Sequence, residues 1–417
     1  MEGIVRALRP AAALLDPSQC VAGPVCLVEQ GRIVRWCEAD ELPAGLEVEE
    51  FPDELWVAPP RLLHAHLESF DAPCERWTRT SFASWVAALL RWRMNSGGQR
   101  MSSQDSAEAS CAELAAAGCG FVLSARSEPG AELPPQVQRR LPIDVEVWPE
   151  LFEPDPSAAE AAFAEFEQGA AASVRGLALH APFSVSPELA RRAFAWAQAP
   201  GRYLSIHLGE HEEERALLQT GGGPLGELFD RRGRARTSAC WDSPVAWLES
   251  VAPGLRPRTL AVHAGDLKAS ELRQLMLKRV DVVFCPGTHR YFERPEPAFA
   301  EAGMAAPLLG CDSRASNDML DPFRELRLAA TILPQYEARA WWGAVTTRAA
   351  AALGQSSSEG SLLPGRRARV LRLRDPGLRE AGALCDSLVR AGADHLPPTP
   401  AQAPATDVLR DFSDSTS

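Results

Sequence analysis

The chain is 417 residues long, 46% hydrophobic and 24% charged, with a net charge of −12. At about 150 residues per domain this length allows two or three domains, or one α/β barrel of roughly 250 residues with a second module. An acidic chain without a Lys/Arg block argues against nucleic acid or an anionic membrane surface as partner, and no apolar run reaches the ~18 residues of a membrane span.

Residues 1–57 predict short β segments at 3–8, 24–29 and 32–37, the last two forming a hairpin that turns at Gln30-Gly31. The first twenty residues do not read as a signal peptide, because their apolar run is short and broken by Arg and Pro. From residue 56 onward, apolar β segments alternate with Ala-rich helical stretches, the pattern of βα units around a parallel sheet. The expected strands are 56–66, 120–124, 144–148, 176–180, 203–208, 259–263, 281–285 and 307–312. Eight such units over about 255 residues suit a closed (β/α)8 barrel. After Leu353-Gly354 a β segment at 368–373 and a helix near 380–391 follow. The tail from His395 is rich in Pro, Ser and Thr and is expected to be flexible. The fold class expected is α/β, with the barrel at 58–354 inserted into a small β-sandwich built from 1–57 and 355–394, and a tail at 395–417.

Ten cysteines without a CxxC pair point to reduced thiols and a cytoplasmic setting. The eight histidines are more telling, because most of them close predicted strands. His64-Ala65-His66 ends the first barrel strand, where residues i and i+2 share a face and two imidazoles can hold one metal. His207 ends the strand at 203–208 and supplies a third ligand, and Glu210, beyond Gly209, can turn over the pocket as a proton carrier. Glu210 also suits the start of an acidic helix, in which His211 reads as a solvated residue. His180, His263 and Asp312 each close another strand. Any one of them alone has a structural explanation, but together and in order they describe a metal site with an acid/base carboxylate at the C-terminal face of a barrel.

The ordered set His64-x-His66, His180, His207-x-x-Glu210, His263 and Asp312 resembles the amidohydrolase superfamily, in its cytosine-deaminase and chlorohydrolase-like branch with one metal. The likeness covers about residues 1–373. The stretches HAHLES with Phe82-x-x-Trp85 downstream, HAPFSVSPEL, HLGEHEEE, CPGTHRYF and GCDSRASNDMLD are similar to those of aminofutalosine (aminodeoxyfutalosine) deaminases of the futalosine route to menaquinone. The resemblance implies a metal-dependent hydrolase barrel with His64, His66, His207 and Asp312 ligating one divalent metal, Zn2+ or alternatively Fe2+. Glu210, His263 and Asp312 would be catalytic: Glu210 shuttles protons, His263 stabilises developing negative charge, and Asp312 orients the attacking water. His180, Glu68, His289 and Arg314 would meet the substrate. The activity implied is hydrolytic deamination of an amino-substituted heterocycle, an aminofutalosine- or adenosine-like nucleoside. The alternatives are a chlorohydrolase-type reaction on a non-purine ring, or an inactive binding homologue. The partner implied is a small molecule, with no nucleic acid and no membrane, and a homodimer is left open.

The chain departs from the family pattern at several places. Cys311 stands for Thr beside the metal Asp, Arg314 for an apolar residue, His289 for a small polar one, Arg61 for Gly, and Ala368-Arg369 for Ala-Asp. None removes a ligand, and Arg314 and His289 are expected to alter the charge at the mouth of the site. Phe82, Trp85, Leu89 and Trp92 follow helical spacing and read as a packing face, as do Trp341 and Trp342.

Overall fold

A computed structural model of the chain describes residues 5–94, 100–127, 143–233, 241–254, 258–391 and 409–411. Gly3, Ile4 and His395 lie outside the described residues. Five strands precede the barrel: β1 (Arg6–Asp16), β2 (Gln19–Ala22), β3 (Val25–Glu29), β4 (Arg32–Cys37) and β5 (Val48–Val57). The barrel strands are β6 (Arg61–Ala65), β7 (Phe121–Arg126), β8 (Asp144–Leu151), β9 (Gly176–Leu179), β10 (Tyr203–Leu208), β11 (Thr259–His263), β12 (Asp281–Phe284) and β13 (Leu308–Leu309). Two more, β14 (Arg369–Arg374) and β15 (Leu409–Asp411), follow it.

The terminal strands join into one seven-stranded sheet in the order β15-β14-β5-β1-β3-β4, with β2 also on β1. The composite β-module expected from both termini is a separate β-rich sheet. One continuous sheet forms because β1 is eleven residues long, so that one of its edges holds β3 at Arg6–Leu8 and β2 at Ala12–Asp16. Both ends of the chain meet here, because β14 runs antiparallel to β5. Within the tail, Leu409–Asp411 pairs with β14 instead of lying free.

The expected first barrel strand at 56–66 divides. Pro59 and Pro60, which lack an N–H to donate, separate β5 of the terminal sheet from β6 of the barrel. The eight barrel strands then pair in parallel in sequence order, β6 through β13. Strands such as β6, β7, β10 and β11 read as near-continuous apolar runs because helices cover their outer face and packed side chains their inner face. Leu63, Phe121, Leu123, Trp148, Tyr203, Leu260, Val262 and Val283 fill the interior. Leu62, Val122, Leu177, Leu204 and Ile206 belong to the outer layer, with helix residues such as Leu114, Leu189 and Leu272.

The seam between β13 and β6 is closed at its C-terminal end. The Cys311 N–H donates to the His64 carbonyl (3.0 Å), and the His66 N–H donates to the Asp312 carbonyl (3.0 Å). Gly310 lets the strands approach: a Cβ there would stand 2.8 Å from the His64 Cβ and 2.9 Å from the His64 carbonyl oxygen. Gly310→Ala should therefore force the seam open, at a cost of about 1–3 kcal/mol typical of overpacking. Gly169→Ala, where a Cβ meets nothing within 4 Å, should leave stability unchanged or slightly raised. Thermal unfolding of the two variants checks this, and equal midpoints would count against the seam.

Candidate functional site

Side-chain parity along the strands explains most of the site. On β10, Tyr203 packs into the interior while Leu204, Ile206 and Leu208 face the helices, so His207 points inward. By the same count Glu150 lies two residues beyond interior Trp148, and His180 two beyond interior Ala178. Two positions need the backbone to break its alternation. The register of β6 on β7 shifts between Leu62 and Ala65, so His64 faces inward directly after interior Leu63. At the end of β11, His263 follows interior Val262 and is swung inward by a φ of 69°. Asp312 has a φ of 55°. Non-glycine residues at positive φ are uncommon and gather at functional sites.

Four of these side chains converge. The Nε2 atoms of His64 and His207 are 3.1 Å apart, those of His66 and His207 are 3.4 Å apart, and Asp312 Oδ1 lies 3.8 and 3.9 Å from the Nε2 atoms of His64 and His66. Burial, and after it the neighbouring His64 imidazole, push the His66 and His207 imidazoles well below their usual pKa. Bare imidazole nitrogens this close repel unless they share a cation. Four donors held tetrahedrally about 2.1 Å from one ion stand about 3.4 Å apart, so the set fits a divalent metal. Asp312 is oriented for this role: its Oδ2 accepts from Thr288 Oγ1 (2.8 Å) and Ser316 Oγ (2.9 Å), which leaves Oδ1 for the cluster. Burial pushes the Asp312 carboxyl upward, but the imidazoles of His64, His263 and His66 outweigh it and hold it below the usual carboxylate range.

Beside the cluster, burial and then the neighbouring Asp312 and Glu214 carboxylates push Glu210 well above its usual pKa. Its Oε2 lies 3.9 Å from His263 Nε2, and burial lowers His263 to about 3. Gly209 sets the turn before it, with a φ of 63° and Leu267 so close that a Cβ would stand 2.4 Å from it. The Glu210 N–H donates to Glu214 Oε2 (3.1 Å), while Glu213 accepts the N–H groups of Phe82 (3.0 Å) and Ala83 (2.8 Å) at the start of the helix Phe82–Met94. His211, expected in solvent, is buried. Its Nδ1 accepts the Glu213 N–H and its ring stacks on Phe82 at 5.2 Å, because the helix folds back over the loop.

A cavity of about 350 Å³ opens in front of these groups, with His66, His180, His207, Glu210, His263, Asp312 and Glu150 on its floor. Its far wall is apolar, from Phe82, Trp85, Val86, Leu89 and Leu90 of the helix with Phe183, Leu228 and Phe229. Phe82, Trp85 and Leu89, read from the sequence as a packing face, thus face the cavity, whereas Trp92 packs by Trp77 and Arg100. Trp341 and Trp342 are core residues.

Three of the expected substrate residues do not line this cavity. Glu68 is buried beneath it, accepting from the Ser127 N–H (3.0 Å) and Oγ (2.7 Å), with Oε1 4.0 Å from His66 Nδ1. His289 hydrogen-bonds the Pro295 carbonyl (2.9 Å), packs on Phe284 and borders a small separate recess behind Glu210 and His263. Arg314 reaches away to Glu113 (3.3 Å) and the Asp318 carbonyl, over the Phe70 ring. Helix and loop geometry, not strand parity, decides where these side chains go. Glu150 and the Asp312 partners Thr288 and Ser316 were missed in the sequence. Parity with Trp148 was the available signal for Glu150, while nothing local marked the two hydroxyls. Cys311 is a buried core residue. Arg61 is buried at the opposite end of β6, against Phe121 and Gln355.

A family model described as the amidohydrolase family matches residues 63–373. The chain belongs to the amidohydrolase family. Among similar amidohydrolase relatives, the aminodeoxyfutalosine deaminase of Deinococcus radiodurans is 32% identical over 194 residues, 43% of this chain and 44% of that protein. The 5-methylthioadenosine/S-adenosylhomocysteine deaminase of Pelotomaculum thermopropionicum is 28% identical over 205 residues, 46% of this chain and 42% of that one. The matched stretches are thus less than half of each relative. A crystal structure of Helicobacter pylori aminofutalosine deaminase with methylthio-coformycin shares the fold at a TM-score of 0.75 and 17% identity, covering 92% of this chain and 96% of that one. Among the described residues, no helix is long and apolar enough to cross a membrane.

Glu214 offers a test of the buried carboxylates. Burial raises it to about 8 from 4.5, against the N–H groups of Gly209 and Glu210. The folded chain keeps a proton that the unfolded chain releases, so this contribution to stability is complete below about pH 4.5 and is lost as the pH rises toward 8. Relative to wild type, Glu214→Gln should gain thermal midpoint between about pH 5 and pH 8. A gap that does not change with pH would contradict this.

Proposed function

We propose that this amidohydrolase is a hydrolytic deaminase of an amino-substituted heterocycle, and that its substrate is an aminofutalosine- or adenosine-like nucleoside. The observation that carries the proposal is the placement of Glu210, a carboxyl that burial pushes well above its usual pKa, beside His263 and Asp312 at the edge of the imidazole cluster. The deaminase names of the relatives and the apolar cavity wall, which suits a flat ring, support it. Zn2+ is the ion the three-imidazole, one-carboxylate set favours, with Fe2+ as the alternative. A cytoplasmic enzyme on the futalosine route to menaquinone is the setting that accompanies this substrate.

Bound by His64, His66, His207 and Asp312, a divalent cation would bring the pKa of a water molecule near neutrality. Asp312 Oδ1 faces the cluster and would accept the proton of the attacking water. Glu210 would give its proton to the ring nitrogen beside the amino-bearing carbon, drawing electrons from that carbon. His263, neutral, would donate a hydrogen bond to the oxygen on which negative charge develops. Asp312 would then pass the proton taken from water to the amino nitrogen, which leaves as ammonia, while Glu210 takes back the hydroxyl proton released as the carbonyl forms.

The test is ammonia release by Zn2+-loaded protein from aminodeoxyfutalosine, 5′-methylthioadenosine and adenosine. Release from at least one is expected. Chloride release from a chlorinated ring without deamination, or an inert metal-loaded protein, would contradict the proposal. Glu210→Gln should keep its metal and lose about 10²–10⁴-fold in turnover, the usual worth of a positioned proton carrier. Full activity in that variant would remove Glu210 from the mechanism.

A further inference from the structure

The mechanism leaves two groups on the cavity floor without a task, Glu150 near the end of β8 and His180 just after β9. The Glu150 side chain is 2% exposed, and its Oε1 is buried without a hydrogen-bond partner. A buried carboxyl oxygen without a hydrogen-bond partner is costly, and the open cavity in front of it is where a donor can arrive.

The His180 tautomer follows from its neighbour. Ser184 Oγ donates to the Ala181 carbonyl (3.1 Å), so in its contact with His180 Nδ1 it accepts, and Nδ1 carries the proton. Nε2 of His180 is therefore a bare acceptor. Glu150, His180 and His207 offer ligand atoms that all lie within 4.8 Å of one another. A second cation is the wrong occupant for this group. His207 meets the metal cluster through Nε2, so its Nδ1 holds a proton, and that nitrogen faces Glu150 Oε1 at 3.8 Å. This is too long for a hydrogen bond, so Oε1 stays open to another donor. Two adjacent acceptors beside a protonated nitrogen fit neighbouring hydroxyl groups. They stand on β8 and β9, to one side of the strand ends that carry Glu210 and His263, so they face a substituent of the ring and not the reacting carbon.

We infer that Glu150, with His180 beside it, binds the vicinal hydroxyls of the substrate's sugar and makes the site selective for a cis-diol. This deepens the deaminase proposal and rests on its nucleoside substrate. The test compares adenosine with 2′,3′-dideoxyadenosine on metal-loaded wild type, Glu150→Gln and Glu150→Ala, reading equilibrium dialysis, ammonia release and metal content. Wild type should favour adenosine by about 100-fold, roughly tenfold for each of two hydroxyl hydrogen bonds, and Glu150→Ala should cut the ratio to below about 5 while retaining its metal. A wild-type ratio near one, an equal loss on both nucleosides in the variants, or metal loss would overturn the inference, as would failure of adenosine to bind. Because dialysis needs no turnover, a wild type that discriminates in binding yet releases no ammonia would refute the deaminase proposal and uphold the diol subsite.

Discussion

The structure depends on three backbone hydrogen bonds, from the Cys311 and Asp312 N–H groups to the His64 carbonyl and from the His66 N–H to the Asp312 carbonyl. They join the last strand of the barrel to the first. The residues that make them are, or adjoin, three of the four side chains offered to a metal. Closing the barrel and assembling the donors are therefore the same event. β13 is only two residues long, so this end of the seam has little other sheet to support it. An ion bound across it would add its binding free energy to that of the closed barrel, since the unfolded chain has no such site.

The loop after β10 performs a second coupling. From the end of β10 into the next helix, eight residues bring together His207 of the imidazole cluster, Glu210 and the anchors His211, Glu213 and Glu214. Glu214 holds the Glu210 backbone, Glu213 caps the helix Phe82–Met94, and His211 stacks on its first residue. The apolar wall of the cavity is thus fixed to the segment that positions Glu210. Movement of that wall on binding a ring would be felt at Glu210 through two backbone hydrogen bonds and one stacked pair.

Much of this was legible in the sequence because strand geometry is periodic. His207, His180 and Asp312 could be placed from their position at the ends of apolar runs, and the eight strands from the alternation of runs with Ala-rich helices. Glu150 obeyed the same rule and was readable by counting from Trp148. His64 and His263 lie inward only through a register shift and a positive φ, so their type and position, not parity, pointed to them. The side chains whose direction the sequence leaves open lie beyond strands. Glu68, His289 and Arg314 take their directions from a 3-10 turn, a short helix and a loop, and Phe82, Trp85 and Leu89 face a cavity that exists only once the helix is docked. A helical apolar stripe looks the same whether it covers a core or a ligand pocket.

The most direct measurement of the central claim, that barrel closure builds one metal site, is anomalous X-ray diffraction from crystals of the Zn2+-loaded protein. The account predicts a single strong peak per chain, within coordination distance of His64, His66, His207 and Asp312. A peak elsewhere, a second peak at Glu150 and His180, or none at the seam would contradict it.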